Sequence, residues 1–256
     1  CEVTLAKNGH VLRTETLETS VDPLSEKTYP LPFGKQQRPG EYTVTVSFLL
    51  REKTLWAEAG HEVAFGQYVY QVEGSPKAPA CGVELVRSLH NIGVRGENFE
   101  VLFSVLNGGL VSYKYAGREM IEAIPKPNFW RAPTDNDCGS LMQMRYAQWK
   151  IASMYASHKD YRKGMYGPAN APETTVHENS VEVAFTYILP TTPASECRLA
   201  YEVTGDGRVK TTLTYDPVKE LGDMPEFGVL FKFNADYDHV QWYGLGPAET
   251  YADRKH

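Results

Sequence analysis

Residues 42–49 read Tyr-Thr-Val-Thr-Val-Ser-Phe-Leu, and this stretch decides the fold class. Large apolar side chains stand at every second position from Tyr42 to Phe48, and small polar side chains stand between them. Successive side chains of a strand point to opposite faces of its sheet, so a period of two predicts a strand with one buried face and one wetter face. Such strands are typical of antiparallel sheets.

Seven further β-branched or aromatic runs predict more strands, at residues 63–72, 99–106, 111–115, 181–189, 199–203, 209–215 and 229–233. Turn signals separate the runs, among them Asn8-Gly9, Pro39-Gly40, Asn107-Gly108-Gly109 and Gly205-Asp206-Gly207. Many short strands at this spacing predict an all-β fold of sandwiches and not a parallel α/β sheet. Residues 140–156 are the one fair candidate for a helix, although their apolar stripe is irregular.

A change in composition predicts two domains. Residues 73–82 read EGSPKAPACG, which contains almost no large apolar side chain and is typical of a linker between two cores. We therefore predict a β-sandwich at residues 1–73, a linker at 74–82 and a larger β-sandwich at 83–256. The first domain has enough strands for a seven-stranded sandwich if one or two edge strands are missing or short.

Composition excludes several classes of protein. The 256 residues are 42% hydrophobic and carry a formal net charge of −6, so no electrostatic attraction for nucleic acid or for an anionic membrane is expected. No apolar stretch approaches the roughly 20 residues that a membrane-spanning helix needs. Four widely spaced cysteines form no CxxC pair, which argues against a zinc site and a disulfide scaffold and leaves the cellular compartment, cytoplasmic or periplasmic, open.

The densest polar cluster runs from Trp130 to Gly139 and includes Arg131, Asp135, Asn136 and Asp137. Such a loop could hold a cation or a sugar hydroxyl, but its spacing does not match a calcium-binding EF-hand loop. The alternative is structural: the acidic and amide side chains cap a helix, and Arg131 pairs with one of them.

The remaining residues suggest no catalytic site. The Gly-Leu-Gly of residues 244–246 lacks the third glycine of a dinucleotide-binding loop, and the isolated histidines have no nucleophile beside them. A pair of carboxylates for glycoside cleavage cannot be assigned by spacing. We therefore name no catalytic residue and no metal ligand in this chain.

Three segments carry a resemblance to a known family: residues 56–64 (WAEAGHEVA), 131–137 (RAPTDND) and 244–254 (GLGPAETYADR). In order and spacing they resemble the signatures of the large bacterial β-galactosidases of glycoside hydrolase family 2. The resemblance implies an immunoglobulin-like β-sandwich, followed by a large antiparallel β-sandwich related to galactose mutarotase that is incomplete at its C-terminus.

The resemblance also implies a function for the whole protein, namely retaining hydrolysis of terminal β-galactosides such as lactose. The catalytic glutamates and the magnesium ligands, with sodium as a second candidate ion, would belong to a catalytic barrel outside this chain, which is the expected partner of these domains. A homo-oligomer is expected for the full-length protein. Gly139 matches the hinge of a lid over the galactose pocket, so Arg131, Asp135, Asn136, Asp137 and Gly139 are the candidate lid or pocket-edge residues.

A stand-alone carbohydrate-binding module is the alternative function. β-Sandwiches with clustered aromatic side chains often bind sugars by stacking, and Trp130, Trp149 and Trp242 would be the stacking residues here.

Overall fold

The structure is a computed structural model, and it describes residues 1–74, 81–159, 172–240, 242 and 244. The described residues form two compact units, one of residues 1–74 with Val240, Trp242 and Gly244, and the other of residues 81–159 and 172–239. Nearly all regular structure consists of antiparallel strands, which confirms the all-β fold class. Residues 75–80 of the predicted linker lie outside the described residues, so the domain boundaries stay a prediction.

Four antiparallel strands form the sheet of the first unit. They are β1 (Glu2–Lys7), β2 (His10–Thr16), β3 (Gly40–Leu49) and β4 (Glu62–Val72), in the spatial order β2-β1-β3-β4. Asn8 and Gly9 join β1 to β2 with positive φ angles of 47° and 80°. Two consecutive positive φ angles are what a tight hairpin turn requires, so the turn predicted from Asn-Gly is confirmed.

The two faces of this sheet differ as the alternation in β3 predicts. Val3 and Leu5 of β1 pack with Tyr42 and Val44 of β3 in a small buried core, which Leu17 and Phe33 help to cover. The opposite face carries mainly threonine and glutamine side chains, together with the exposed Phe65 and Val69 of β4. In the described part of this unit the strands form a single sheet, and the immunoglobulin-like sandwich therefore stays a prediction.

The second unit contains two five-stranded antiparallel sheets. One has the order β5-β6-β7-β8-β9 and consists of Glu84–Arg87, Asn91–Arg95, Phe99–Ser104, Gly109–Tyr115 and Arg118–Glu119. After the short β10 (Lys126–Asn128), the other sheet consists of β11 (Ser157–His158), β12 (Glu173–Val176), β13 (Ser180–Leu189), β14 (Ser195–Thr204) and β15 (Val209–Tyr215). A 3-10 turn, Lys219–Leu221, leads to β16 (Gly228–Leu230), which pairs with β10.

The core of the second unit lies between its two large sheets. Phe103 of β7 contacts Phe185 of β13 and Tyr201 of β14, with ring centroids 6.3 and 5.4 Å apart. The hydroxyl of Tyr187 donates a hydrogen bond of 2.6 Å to the carbonyl of Gly108, across the same interface. The two inner faces are therefore joined by aromatic packing and by at least one buried polar contact, as expected of a β-sandwich.

Two short helices, α2 (Met142–Arg145) and α3 (Ala147–Tyr155), replace the single helix predicted at residues 140–156, and a third, α1 (Asp135–Gly139), precedes them. Leu141 has a left-handed backbone (φ 58°, ψ 33°), and Tyr146 departs from helical angles (φ −116°, ψ 20°). The prediction of one continuous helix was wrong because these two residues interrupt the helical hydrogen bonding.

Among the described residues no helix is long and apolar enough to cross a membrane.

Candidate functional site

The candidate loop follows directly from the buried aromatic core of the second unit. Phe129 comes one residue after β10, and its ring centroid lies 5.8 Å from that of Trp149 in α3 and 6.4 Å from that of Tyr215 in β15. The backbone N–H of Phe129 donates to the hydroxyl of Ser153, which donates in turn to the carbonyl of Trp149, each at 2.8 Å. The chain therefore enters the loop from a position fixed by packing and by hydrogen bonds.

Thr134 begins α1 as its N-cap. Its hydroxyl accepts the backbone N–H of Asp137 at 3.2 Å, and the Asp137 carboxylate accepts the backbone N–H of Thr134 at 2.8 Å. This reciprocal capping box satisfies two backbone donors that a helix start would otherwise leave unpaired. The Thr-x-x-Asp spacing is the sequence signal for it, although Thr134 was not among the predicted site residues.

Arg131 forms a forked ion pair with the same carboxylate. One guanidinium nitrogen contacts Oδ2 of Asp137 and the other donates to Oδ1 at 3.2 Å. The Thr134 hydroxyl also donates to Oδ2 at 3.0 Å. The structural alternative is thus confirmed in its main point: Arg131 pairs with an acidic residue of the loop, and Asp137 serves the start of a helix.

These contacts hold the pKa of Asp137 far below its ordinary value, chiefly through the hydrogen bonds from Arg131 and then through the backbone N–H of Thr134. A carboxylate with a strongly lowered pKa stays ionised at neutral pH and cannot act as a general acid. The two carboxylate oxygens together accept four hydrogen bonds from Arg131 and Thr134. The arrangement indicates that Asp137 positions the loop.

The other candidate residues are arranged differently. Asp135 and Asn136 are exposed on the first turn of α1, so their side chains are accessible to a partner or a ligand. Gly139 is the last residue of α1, and a methyl group added there would meet no heavy atom within 4 Å. The conformation described here therefore does not itself require glycine at position 139.

Leu141 follows two residues later and is the strained position of the segment. The left-handed conformation costs a residue with a Cβ atom roughly 1–2 kcal/mol, and Leu141 is exposed, so core packing does not offset the cost. This backbone strain lies at an exposed position at the junction of α1 and α2. No pattern in the sequence indicates it.

One of the three tryptophans proposed for sugar stacking is inaccessible. Trp149 is 1% exposed and packs inside the core, which corrects its assignment as a stacking residue. Trp130 is half-buried against the same core, whereas Trp242 is 74% exposed. Within the described ranges, no group of three or more histidine, cysteine, aspartate or glutamate side chains is placed to hold a metal ion.

Two models of known families match this chain, each over a different part. The family model described as "Beta galactosidase small chain" matches residues 95–256, more than half of the chain. The chain belongs to the β-galactosidase small-chain family. A second family model, "Beta-galactosidase, domain 4", matches residues 1–71.

Individual curated relatives are named β-galactosidase. The "Beta-galactosidase" of Clostridium acetobutylicum is 36% identical over 251 residues, which are 97% of this chain and 27% of the relative. That of Halalkalibacterium halodurans is 37% identical over 260 residues, covering 99% of this chain and 25% of the relative. This small-chain family member thus spans about a quarter of the length of these curated relatives.

One relative is named as a subunit. The "Beta-galactosidase small subunit" of Latilactobacillus sakei is 30% identical over 172 residues, covering 64% of this chain and 54% of the relative. Of the three segments that carried the resemblance, residues 56–64 form the connection from β3 into β4 and residues 131–137 lead into α1. Apart from Gly244, the third segment lies outside the described residues.

The lowered pKa of Asp137 predicts a pH effect on stability. A carboxyl whose pKa is lower in the folded than in the unfolded state stabilises the fold fully at pH values above its unfolded pKa, about 3.9. That stabilisation is lost as the pH falls from there towards the lower, folded pKa. We expect Asp137→Asn to lower the thermal unfolding temperature at neutral pH, and the difference from the unsubstituted protein to shrink as the pH falls below about 4.

Thermal unfolding between pH 2.5 and 7 measures this difference. Asp135→Asn is the matched control, because Asp135 lies two residues away and is exposed, and it should leave the pH dependence unchanged. Equal pH profiles for Asp137→Asn and the unsubstituted protein would show that the carboxylate is not stabilised as described.

Proposed function

We propose that this chain is a non-catalytic part of a β-galactosidase and acts as a scaffold for the remainder of the enzyme. The observation that carries the proposal is its membership of the small-chain family together with its span, about a quarter of relatives named β-galactosidase. The relative named as a small subunit supports a structural contribution that is separable from the remainder of the protein.

The proposed reaction of the intact protein is retaining hydrolysis of terminal β-galactosides such as lactose, as in glycoside hydrolase family 2. It requires an acid/base carboxyl group and a nucleophilic carboxylate about 5 Å apart. Asp137, the most strongly perturbed carboxylate of the described chain, is locked in an ion pair and suits neither role. We assign both reacting carboxylates to a catalytic barrel outside residues 1–256.

The same reasoning applies to metal ions. Magnesium, with sodium as a second candidate, is proposed for the intact enzyme, but the described residues offer no cluster of metal-ligating side chains. We place the ligands in the rest of the polypeptide, and no step of the reaction is assigned to a metal held by this chain.

We further propose that the segment from Gly139 onwards is a lid at the edge of the galactose pocket. The ion pair of Arg131 with Asp137 and the capping box of Thr134 fix the start of α1, while the left-handed Leu141 lies just beyond its end. A fixed base followed by a strained junction suits a segment that exchanges between two conformations. Asp135 and Asn136 are the exposed polar side chains at its base.

The alternative, a stand-alone carbohydrate-binding module, has less support. With Trp149 inside the core and Trp130 half-buried, Trp242 is the only one of its three proposed aromatic residues with a largely exposed ring. Calorimetric titration of the chain with galactose or lactose distinguishes the two functions, since a scaffold alone should give no saturable heat.

The scaffold function predicts that residues 1–256 alone are inactive. We expect the purified chain to release no nitrophenol from a nitrophenyl β-galactoside above background, because the reacting carboxylates are elsewhere. The control is the intact protein at the same molar concentration, which should hydrolyse the substrate. Turnover by residues 1–256 that a substitution within them abolishes would overturn the scaffold function.

The lid predicts an effect of Gly139→Ala in the intact protein. Alanine fits the helical conformation described here without contact and favours a helix over glycine by about 1 kcal/mol. We therefore expect this conformation to gain about five-fold in population over the other lid state, with substrate and transition-state-analogue affinities shifting unequally.

Gly82→Ala is the matched control, because a methyl group at Gly82 also meets no heavy atom within 4 Å and Gly82 lies outside the lid segment. Steady-state kinetics and inhibition constants measure the effect. If Gly139→Ala leaves both affinities and the turnover per folded molecule unchanged, Gly139 is a plain structural residue and the lid assignment is withdrawn.

A further inference from the structure

Tyr146 lies at the junction of α2 and α3 and is held by contacts from several sides. It is the C-cap of α2 and the N-cap of α3, and its ring packs against the core of the second unit. Its hydroxyl donates a hydrogen bond of 3.2 Å to Oδ2 of Asp223. The guanidinium of Arg145 lies over the same ring, 5.3 Å from its centroid, in a cation–π contact.

The segment that receives the Tyr146 side chain is itself fixed. Leu221, the last residue of the 3-10 turn, is 2% exposed and belongs to the core. Its carbonyl accepts a hydrogen bond of 3.0 Å from the side-chain amide of Gln148 in α3. Gly222 follows with a φ angle of 70°, and a methyl group there would come within 3.2 Å of the Tyr146 ring. Glycine therefore allows the backbone to approach the ring closely.

The residues before Tyr146 combine favourable and unfavourable contributions. Leu141 has a left-handed backbone, which is unfavourable for a residue with a Cβ atom. The side-chain oxygen of Gln143 is buried without a hydrogen-bond partner in the described part of the chain, and this too is unfavourable. Met142 is 5% exposed, and its burial opposes both costs. Such a balance suits a segment with two conformations of similar free energy.

The residues after Tyr146 belong to the core. Trp149 is 1% exposed, and its ring centroid lies 5.8 Å from that of Phe129 and 5.8 Å from that of Tyr215. The backbone N–H of Trp149 donates a hydrogen bond of 3.0 Å to the carbonyl of Tyr146. Tyr146 thus lies between a strained segment and a helix that is fixed by packing.

We propose that Tyr146 is a positioning residue at the far end of the lid, and that its hydrogen bond to Asp223 confines the movement to residues 139–145. The inference rests on the proposed function, under which this segment is a lid. The ion pair of Arg131 with Asp137 fixes the other end. The balance between the two lid conformations determines how tightly the pocket binds the transition state relative to the substrate. Loss of the Tyr146 hydroxyl therefore changes that balance without altering a reacting group.

Hydrogen exchange of the intact polypeptide, resolved to single residues, tests the boundary independently of activity. We expect the amides of residues 139–145 to exchange faster than those of α3. Tyr146→Phe removes the hydroxyl but keeps the ring, and it should speed exchange at the Trp149 amide by about five-fold, the contribution of one hydrogen bond.

Variants of the acceptor provide the matched comparisons. Asp223→Ala removes the acceptor and should have the same effect as Tyr146→Phe. Asp223→Asn keeps an acceptor oxygen and should retain the exchange rate of the unsubstituted protein. Tyr155→Phe is the control for loss of a tyrosine hydroxyl, because Tyr155 lies in the same helix and is 65% exposed. It should leave the exchange rate at Trp149 unchanged.

Steady-state kinetics of the intact protein test the link to the lid. The measured quantity is the KM of a nitrophenyl β-galactoside divided by the inhibition constant of a transition-state analogue. In Tyr146→Phe and Asp223→Ala this ratio should change by about five-fold, and the double variant should change it no further. Asp223→Asn and Tyr155→Phe should leave it unchanged. A merely structural residue would lower the thermal unfolding temperature without changing the ratio.

Three results would overturn the proposal: unchanged exchange at Trp149 in Tyr146→Phe, equal losses in Asp223→Ala and Asp223→Asn, or altered exchange with an unchanged kinetic ratio. The failure of the proposed function is distinguishable from these. Absence of hydrolysis by the intact protein would contradict that function, while the exchange rates would still decide whether Tyr146 bounds the movable segment.

Discussion

The contact of Phe103 with Phe185 and Tyr201 is the interaction on which the second unit depends, because it joins the inner faces of the two large sheets. Burial of large aromatic side chains is the main source of free energy for such a sandwich. The same core continues through Phe129 and Trp149, so it also sets the position from which the loop of Arg131 departs. The geometry of the candidate site is therefore a consequence of core packing.

This dependence explains the chemistry of the loop. Arg131 is held where its guanidinium can meet both carboxylate oxygens of Asp137, and Thr134 supplies two further donors to that carboxylate. Four charge-assisted contacts on one carboxylate give rigidity and leave no capacity for proton transfer. The ion pair of Arg131 with Asp137, which lies in the polar cluster that the sequence indicates, thus supports the exposed Asp135 and Asn136.

The sequence predicts the strands better than it predicts their arrangement. The run at 209–215 coincides with β15, and the runs at 63–72 and 181–189 match β4 and β13 to within one residue. Local alternation cannot identify which strands are neighbours, nor that β4 has one neighbouring strand among the described residues, because pairing depends on contacts distant in the sequence.

The candidate site was predictable only in part. Pairing of Arg131 with an acidic neighbour follows from their closeness in sequence, and a Thr-x-x-Asp spacing marks the capping box at Thr134. The burial of Trp149 and the left-handed Leu141 were not predictable, since tertiary packing sets the first and nothing in a leucine favours the second.

The most direct test of the central claim, that this chain positions the active site without supplying a reacting group, is the pH dependence of kcat/KM in the intact protein carrying Asp137→Asn. Each limb of such a profile reports an essential acid or base of the free enzyme. Because Asp137 has a lowered pKa, is ionised at neutral pH and only supports the loop, we expect a lower kcat/KM with both limbs at unchanged pH. Loss or displacement of either limb would make Asp137 part of the catalytic machinery and contradict the claim.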